Sequence, residues 1–188
     1  MNKIELAISI VERAHRGQKD KLGADYISHP LRVHRNLKEN PNFQKLSLAE
    51  REDAEVAAIL HDVIEDSGEN GSERFTREDL MMQGFSPRSI ELVALLTRTK
   101  SVEPEDYYRA IKANHLARLV KLADIADNRN VHRVAGLDPA AAERLGAKYR
   151  KAMEIISMDE ADAEWMETVM HYEIELDDVE DDAYEDKG

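Results

Sequence analysis

The chain has 188 residues, a formal net charge of −13 and no cysteine, which suits one domain with a sizeable core and excludes disulfides, thiolate-bound zinc and cysteine nucleophiles. Any bound metal must therefore be held by histidine, carboxylate or water. The N-terminus lacks a signal-peptide pattern and no apolar run reaches the roughly 20 residues of a membrane span, so we expect a soluble, cytoplasmic protein.

Helical periodicity and caps predict the elements of the first half of the chain. A first helix, which ends near Gly17, carries apolar residues on one face: Ile4, Ala7, Ile8, Val11 and Ala14. After a polar loop, Pro30 fits the first turn of a second helix. The stretch "SLAE" is a capping box formed by Ser47 and Glu50. It begins a helix that is predicted to run through "AAILHDVIEDSG" and to end before Gly68.

The second half of the chain shows the same kind of helix signals. "TRED" at 76–79 begins a short helix closed by Gly84, and Ser86-Pro87 and Pro104 begin two more. "ARLVKLADIADN" has helical periodicity, and a long amphipathic helix follows Asp138. We therefore predict an all-α fold in which residues 1–158 form one domain of seven or eight helices.

Residues 159–188 form a separate acidic segment, predicted to be a helix followed by a tail. They carry 14 acidic side chains against one basic residue, Lys187, whereas residues 1–158 have no net charge. Either the segment is a solvated tail or it docks on a basic partner. Because duplex binding requires clustered cations that neutralise phosphates, nucleic acid is disfavoured as a ligand.

Four polar residues end the apolar run of "AAILHDVIEDSG". Since positions four apart share a helix face, His61 lies below Glu65 and Asp62 lies below Asp66, which gives one polar edge. The pattern has two interpretations. Either the helix ends in polar residues where it meets water, or the adjacent histidine and aspartate reach one metal ion from the end of a buried helix.

Two further residues favour the metal. His29 stands in "YISHP" where a loop meets a helix, and Asp124 stands in "VKLADIADN" where the periodicity predicts burial. Burying a carboxylate is costly unless another charge compensates it. Two histidines and two aspartates form a nitrogen-and-oxygen donor set that suits Mn²⁺, Fe²⁺ or Zn²⁺ and leaves positions for water and substrate.

Three stretches together resemble a known family. "AHRGQKDKLGADYISHP", "AAILHDVIEDS" and "LVKLADIADNR" occur in the order found in the hydrolase domain of RelA/SpoT-type alarmone enzymes, a member of the HD superfamily with the signature H…HD…D. The similarity covers roughly residues 5–155 and is greatest to stand-alone small alarmone hydrolases. It implies a guanosine-3′,5′-bis(diphosphate) 3′-pyrophosphohydrolase that converts (p)ppGpp to GDP or GTP and pyrophosphate.

The resemblance also implies roles for individual residues. One divalent ion, most often Mn²⁺, has four ligands in this family, which correspond to His29, His61, Asp62 and Asp124. Glu65 and Asp66 match the catalytic acidic pair, since a nearby carboxylate can orient water and move its proton. Asn128 matches a nucleotide contact. Lys21 matches a basic residue of the substrate loop, although a solvated loop charge explains it almost equally well.

Two departures from the family's pattern keep other functions open. Asp20 stands where an arginine usually precedes Lys21, and Asp127 replaces the histidine of "RLHN". The alternatives are an HD phosphatase that acts on another nucleotide, such as a nucleoside monophosphate or NADPH, or a non-catalytic metal or nucleotide sensor. The acidic pair argues against a sensor, because binding alone does not require it.

The remaining polar and aromatic residues receive more ordinary interpretations. Tyr26 is interpreted mainly as a packing residue of the loop. Trp165, Met166 and Met170 fit packing or subunit contacts, so a homo-oligomer stays open. Surface or structural roles are expected for the other histidines: His15, His34, His115, His132 and His171. A cationic rim for phosphates, or ordinary helix-surface charge, explains a group of basic residues: Arg98, Lys100, Lys112, Arg118, Lys121 and Arg129.

Overall fold

The computed structural model describes residues 2–172, so that positions 173–188 of the predicted acidic tail lie outside the described residues. Within that range all the regular secondary structure is helical, which confirms the all-α prediction. None of these helices is both long and apolar enough to cross a membrane. The described part contains eleven α-helices: α1 Lys3–Ala14, α2 Ser28–Glu39, α3 Leu48–Leu60, α4 Val63–Asp66, α5 Arg77–Met82, α6 Pro87–Leu96, α7 Pro104–Lys112, α8 His115–Asn128, α9 Val131–Ala135, α10 Pro139–Ile156 and α11 Glu160–Val169.

Most helices begin where the caps predict. Ser47 accepts a hydrogen bond from the Glu50 N–H, and the Glu50 side chain accepts from the Ser47 N–H. Thr76 and Asp79 form the same reciprocal pair at the start of α5, and the Asp138 side chain caps α10. These bonds satisfy amide groups that have no partner inside the helix.

The predicted number of seven or eight helices is wrong, because α9 was not foreseen and the third helix is interrupted. α3 ends at Leu60, and α4 restarts at Val63. The His61 ring Nδ1 lies 2.8 Å from the Ala58 carbonyl oxygen, the group to which the amide of Asp62 would donate in a continuous helix. His61 and Asp62 therefore occupy a turn between two helices. The Asp66 N–H still donates to the Asp62 carbonyl oxygen over 2.8 Å, so Asp62 and Asp66 keep the predicted spacing of one helical turn.

α8 is the central helix and packs against α2, α3, α6, α7, α10 and α11. Ala123 and Ala126 on α8, like Ala57 and Ala58 on α3, are fully buried. Small side chains at these positions allow the helix backbones to approach closely, so the polar groups that α2, α3 and α8 carry meet at one point.

The last described helix packs on this core. Trp165, Met166 and Met170 are buried, and α11 contacts α8, which favours packing over subunit contact for these side chains. The division at residue 158 falls between α10 and α11 and stays a prediction.

Candidate metal centre and active-site cavity

Three segments bring the four predicted ligands together. His29 lies in the first turn of α2, His61 and Asp62 occupy the turn after α3, and Asp124 lies in α8. His29 Nε2 is 3.4 Å from Asp124 Oδ1 and 3.6 Å from Asp62 Oδ2. The corresponding distances from His61 Nε2 are 3.9 Å and 3.1 Å. His29, His61 and Asp124 are buried, and their donor atoms lie within 4.8 Å of one another. The half-buried Asp62 adds a fourth donor atom beside the two histidines.

The imidazole rings of His29 and His61 both turn Nε2 toward the two aspartates. His29 Nδ1 is 2.7 Å from Asp127 Oδ2, and His61 Nδ1 is 2.8 Å from the Ala58 carbonyl oxygen. Since each neighbour is an acceptor, each Nδ1 carries a proton, so Nε2 is the nitrogen that can bind an ion once any proton of its own has left. Among the described residues, His61 Nε2 is buried without a hydrogen-bond partner. A divalent ion satisfies this atom, so the donor set fits a metal.

The electrostatics of the cluster also favour a cation. Burial lowers the pKa of His29, but the hydrogen bonds and charges of Asp124 and Asp127 outweigh burial and raise it to about 9. Burial raises the carboxyl pKa of Asp124, but Lys121 and the two histidines outweigh it and hold that pKa well below its ordinary value. The centre therefore keeps its carboxylates ionised and attracts positive charge.

Three side chains orient the two aspartates that are predicted as ligands. The Tyr26 hydroxyl donates to Asp62 Oδ2 over 2.6 Å. Asp124 receives hydrogen bonds from Asn128 Nδ2 at Oδ1 and from Lys121 Nζ at Oδ2, each 2.6 Å long. Tyr26 thus has a polar contact beyond the packing role expected for it, and Lys121 is bound to a ligand rather than free on the helix surface.

The predicted catalytic pair lies beside this cluster on α4. Glu65 is exposed, and its Oε2 accepts a hydrogen bond from the Arg98 backbone N–H over 3.1 Å. Asp66 is half-buried; burial, then the charges of Asp62, Glu65 and Glu69, raise its carboxyl pKa to about 6. A carboxyl group that exchanges a proton near neutral pH has the property that proton transfer to a leaving group requires.

The cluster lies on the wall of a cavity of about 650 Å³, within the range of small-molecule sites. Lys21 and Asn128, the predicted substrate contacts, both line it. Its basic side chains are Lys19, Lys21, Arg98, Lys100, Lys121, Arg133 and Lys148, and its aromatic side chains are Tyr26, Tyr107, Tyr108 and Tyr149. The combination of cations, aromatic rings and a metal-type donor set suits a phosphorylated, ring-containing ligand.

The predicted cationic rim is correct in part. Arg98, Lys100 and Lys121 line the cavity, whereas Arg118 is paired with Asp162 over 2.5 Å and Arg129 contacts the Met153 sulfur. Sequence reasoning missed other wall residues of α7, α9 and α10: Tyr107, Tyr108, Arg133, Lys148 and Tyr149. Isolated basic and tyrosine residues on surface helices carry no sequence signal for a cavity, because only the packing of α10 against α7 and α8 makes them face one.

Asp20 and Asp127, the two residues that depart from the family's pattern, occupy related positions. Asp20 Oδ1 accepts from the backbone N–H groups of Leu22 and Ala24 over 2.8 and 3.0 Å, and its Oδ2 lies 3.5 Å from Arg133 Nη1. The Asp20 side chain is 6% exposed, so its carboxylate is bound within the loop and to Arg133. Asp127 is buried against His29.

The other histidines lie outside the metal centre. His34 pairs with Glu55 over 2.7 Å, and His115 and His171 are exposed partners of acidic or carbonyl groups on the surface. His15 is buried under Tyr26 and bonds through Nδ1 to Gln18. Its Nε2 has no hydrogen-bond partner among the described residues. Only one of the two ring nitrogens therefore has the hydrogen bond expected of a structural histidine.

Comparison with known proteins gives one family match. The chain matches the HD domain family over residues 26–129, a range that contains all four predicted ligands. It is 28% identical over 160 residues to a GTP pyrophosphokinase of Streptomyces coelicolor. It is 31% identical over 134 residues to a guanosine-3′,5′-bis(diphosphate) 3′-pyrophosphohydrolase of Aquifex aeolicus. These alignments cover 82% and 67% of this chain, but the chain spans 17% of the length of each relative.

The fold also has a solved counterpart. A metazoan orthologue of SpoT that hydrolyses ppGpp and plays a role in starvation responses superposes with a TM-score of 0.66 and 22% sequence identity. The match covers 90% of this chain and 94% of that chain. At this identity the likeness is one of fold.

Proposed function

The chain belongs to the HD domain family, and we propose that it is a metal-dependent phosphohydrolase that removes pyrophosphate from the 3′ position of (p)ppGpp. The observation that carries the proposal is the group of buried His29, His61 and Asp124 with the half-buried Asp62 beside them, at a cavity lined by basic and tyrosine side chains. The name of the Aquifex aeolicus relative states this substrate and reaction, although the chain spans 17% of the length of that relative.

The four clustered residues are proposed to hold one divalent ion, with Mn²⁺ as the first candidate and Fe²⁺ or Zn²⁺ as alternatives. Carboxylate oxygens and imidazole nitrogens suit all three ions. When bound, such an ion acidifies water and offsets negative charge on phosphoryl oxygens. Asn128 and Lys121 hold the Asp124 carboxylate, and Tyr26 holds that of Asp62.

Asp66 and Glu65 are proposed to handle protons during hydrolysis. Water adds to the phosphorus attached to the 3′ oxygen, and the bond between that phosphorus and the 3′ oxygen breaks, releasing pyrophosphate and a 3′ hydroxyl. A proton must leave the water and another must reach the 3′ oxygen. Asp66 is half-buried, and its pKa in the metal-free chain is raised to about 6, which makes it the candidate donor of a proton to the 3′ oxygen. The Arg98 amide fixes the position of Glu65.

The basic side chains of the cavity are proposed to bind the two diphosphates. Lys21, Arg98, Lys100 and Lys148 line the cavity, and cations in a partly enclosed site attract phosphate more strongly than the same cations in water. Asn128, whose amide donates to Asp124, is proposed to contact the nucleotide from the cavity wall. The tyrosines offer flat apolar surfaces to a nucleobase.

A second candidate is a phosphatase that acts on another nucleotide. It is favoured by the contact of Asp20 with Arg133, because this acid offsets one of the cations that would otherwise face a substrate with two diphosphates. Nucleoside monophosphates and NADPH carry fewer clustered charges than ppGpp and fit such a site.

A product screen separates these functions. Purified protein with added Mn²⁺ is incubated with ppGpp, GMP and NADPH, and phosphate and pyrophosphate release are measured against Asp62→Ala as the matched inactive control. The proposal requires kcat/KM for ppGpp to be the highest of the three. If ppGpp is no better than the others, the alarmone assignment is wrong. If wild type and Asp62→Ala are equally inert while nucleotide binds, the protein is a sensor.

A further inference from the structure

Asp127 is a buried carboxylate that does not face the cavity directly but contacts a predicted metal ligand. It is 2% exposed, and its Oδ2 lies 2.7 Å from His29 Nδ1. The opposite nitrogen of the same ring, Nε2, faces Asp62 and Asp124. His29 is therefore held between Asp127 on one side and the predicted metal centre on the other.

Two arginines hold Asp127 in this position. Arg32, one turn after His29 on α2, donates from Nε to Asp127 Oδ1 over 2.6 Å and from Nη2 to Oδ2 over 3.2 Å. Arg133 Nη1 lies 3.3 Å from Asp127 Oδ2. A two-point contact between guanidinium and carboxylate fixes the plane of the carboxylate as well as its distance. The oxygen that receives the His29 proton thus has a defined position.

We propose that Asp127 is a positioning residue for His29: it accepts the Nδ1 proton, selects the tautomer with a free Nε2 and aims that nitrogen at the metal. The inference rests on the proposed function, since it assumes that His29 binds an ion. A carboxylate behind a metal-binding histidine fixes the ring and makes the ligand nitrogen more basic, and its removal typically weakens metal binding about 10–100-fold.

The same group of charges reaches the loop at the mouth of the cavity. Arg133 lies between Asp127 and Asp20, 3.3 Å and 3.5 Å away from them, and Asp20 in turn binds the backbone of its own loop. Two acids and two arginines alternate, so the network is neutral. Both residues that depart from the family pattern, Asp20 and Asp127, therefore belong to one connected network behind His29.

A buried ion pair with no role beyond the fold is the competing explanation for Asp127. Breaking such a pair is destabilising wherever it lies, because a charge stays buried without its partner. Loss of stability alone therefore does not distinguish a positioning role for Asp127 from a purely structural one. A matched buried pair elsewhere supplies the comparison: Asp162, fully buried on α11, is bound by Arg118 over 2.5 Å and by Asn40 and Asn42.

The experiment compares Asp127→Asn with Asp162→Asn. Mn²⁺ affinity is measured by calorimetry on the full chain without nucleotide, and the melting temperature is measured on the same samples. We expect both variants to melt earlier, Asp127→Asn to bind Mn²⁺ about 10–100-fold more weakly, and Asp162→Asn to bind it as the wild type does. Equal affinity in Asp127→Asn and wild type, or equal loss in both variants, overturns the proposal. Absence of Mn²⁺ binding in the wild type contradicts the proposed function instead.

A measurement on the wild type tests whether Asp127 positions His29, even if Asp127→Asn does not fold. Long-range ¹H–¹⁵N spectra of the metal-free protein report which nitrogen of each histidine is protonated, and His29→Asn identifies the His29 signal. We expect a protonated Nδ1 that stays protonated when Zn²⁺ is added, while the Nε2 resonance shifts. A proton on Nε2 alone in the metal-free protein, or loss of the Nδ1 proton on addition of Zn²⁺, overturns the positioning role.

Discussion

Asp62 lies where α3 ends, and its carboxylate is close to both histidine Nε2 atoms and to the hydroxyl of Tyr26. Its contacts are with site residues, and its side chain is 23% exposed, so removing it leaves the core intact. We expect Asp62→Ala to lose Mn²⁺ binding and activity together while helix content persists. Elemental analysis and circular dichroism check this, and full metal occupancy in the variant would remove Asp62 from the ligand set.

Glu65 tests the proton-transfer role separately from metal binding. Glu65→Gln keeps an oxygen that can accept from the Arg98 amide, so the side chain should stay in place without its charge. We expect Mn²⁺ affinity and KM to be unchanged and kcat to fall by roughly 10²–10⁴, the usual effect of losing a positioned acid or base. Glu91 on α6, which is exposed and does not line the cavity, provides the control, Glu91→Gln, which should keep kcat. An unchanged kcat in Glu65→Gln excludes the role.

Asp66 gives a stability change with a defined pH dependence in metal-free protein. Its pKa in the folded chain, about 6, exceeds its ordinary value of 3.8, so folding favours the protonated form and ionised Asp66 destabilises the fold. The penalty is absent below about pH 4, grows between pH 4 and pH 6, and is complete above pH 6. Asp66→Asn, which resembles the protonated form, should therefore stabilise EDTA-treated protein above pH 6.

Urea unfolding across this pH range measures the difference in free energy between Asp66→Asn and wild type. The exposed Asp106 supplies a matched control. Asp106→Asn removes a carboxylate that is not buried, so its effect on the free energy of unfolding contains no release of a burial penalty. If Asp66→Asn increases the free energy of unfolding by the same amount at pH 4 and at pH 7, the pKa of Asp66 is not raised.

At the scale of the element, local signals predicted where helices begin better than where they are interrupted. Ser47 and Thr76 cap their helices as the sequence indicates, because capping is a contact between near neighbours. The turn at His61 and Asp62 was not predicted, since an apolar run that leads into them favours a continuous helix. The ring of His61 bonds to the Ala58 carbonyl, and the position of that ring depends on α2 and α8.

The residues of the candidate site also fall into those that the sequence predicts and those that it does not. The sequence points to His29 as a histidine where a loop meets a helix and to Asp124 as an acid where the periodicity predicts burial. The structure brings His29 Nε2 within 3.4 Å of Asp124 Oδ1. Arg133, Lys148 and Tyr149 were not identified, although they line the cavity. Their role arises from the tertiary packing of α9 and α10 beside residues far away in the sequence, and no local pattern encodes it.

The link between α3 and α6 is an element-scale feature that can be tested. Asp53 on α3 is buried and accepts hydrogen bonds from the hydroxyls of Ser86 and Ser89 at the N-terminus of α6, the latter over 2.7 Å. Asp53→Ala leaves these hydroxyls without their acceptor, which typically costs about 1–3 kcal/mol. We expect a loss of this size in the free energy of unfolding, and no change in Mn²⁺ affinity. A change in affinity would mean that α6 influences the metal centre.

At the scale of the whole molecule, the proposed metal centre joins parts of the chain that lie far apart in sequence. Its predicted ligands come from α2, the turn after α3, and α8, and these three helices contact one another. The ligands meet only when the helices are packed, so an ion bound by all of them binds the folded chain and not the unfolded one. Metal binding and global stability are consequently linked.

This linkage has an expected size. An ion that binds only the folded state adds about 2.7 kcal/mol of stability at 100 times its dissociation constant. For a domain of this length each kcal/mol raises the melting temperature by about 2–4 °C. We expect Mn²⁺ to raise the melting temperature of EDTA-treated protein by roughly 5–10 °C, fully reversed by EDTA, with no rise in Asp62→Ala. An equal rise in wild type and Asp62→Ala would place the stabilising ion elsewhere, because only a site made by α2, α3 and α8 loses its ion with that carboxylate.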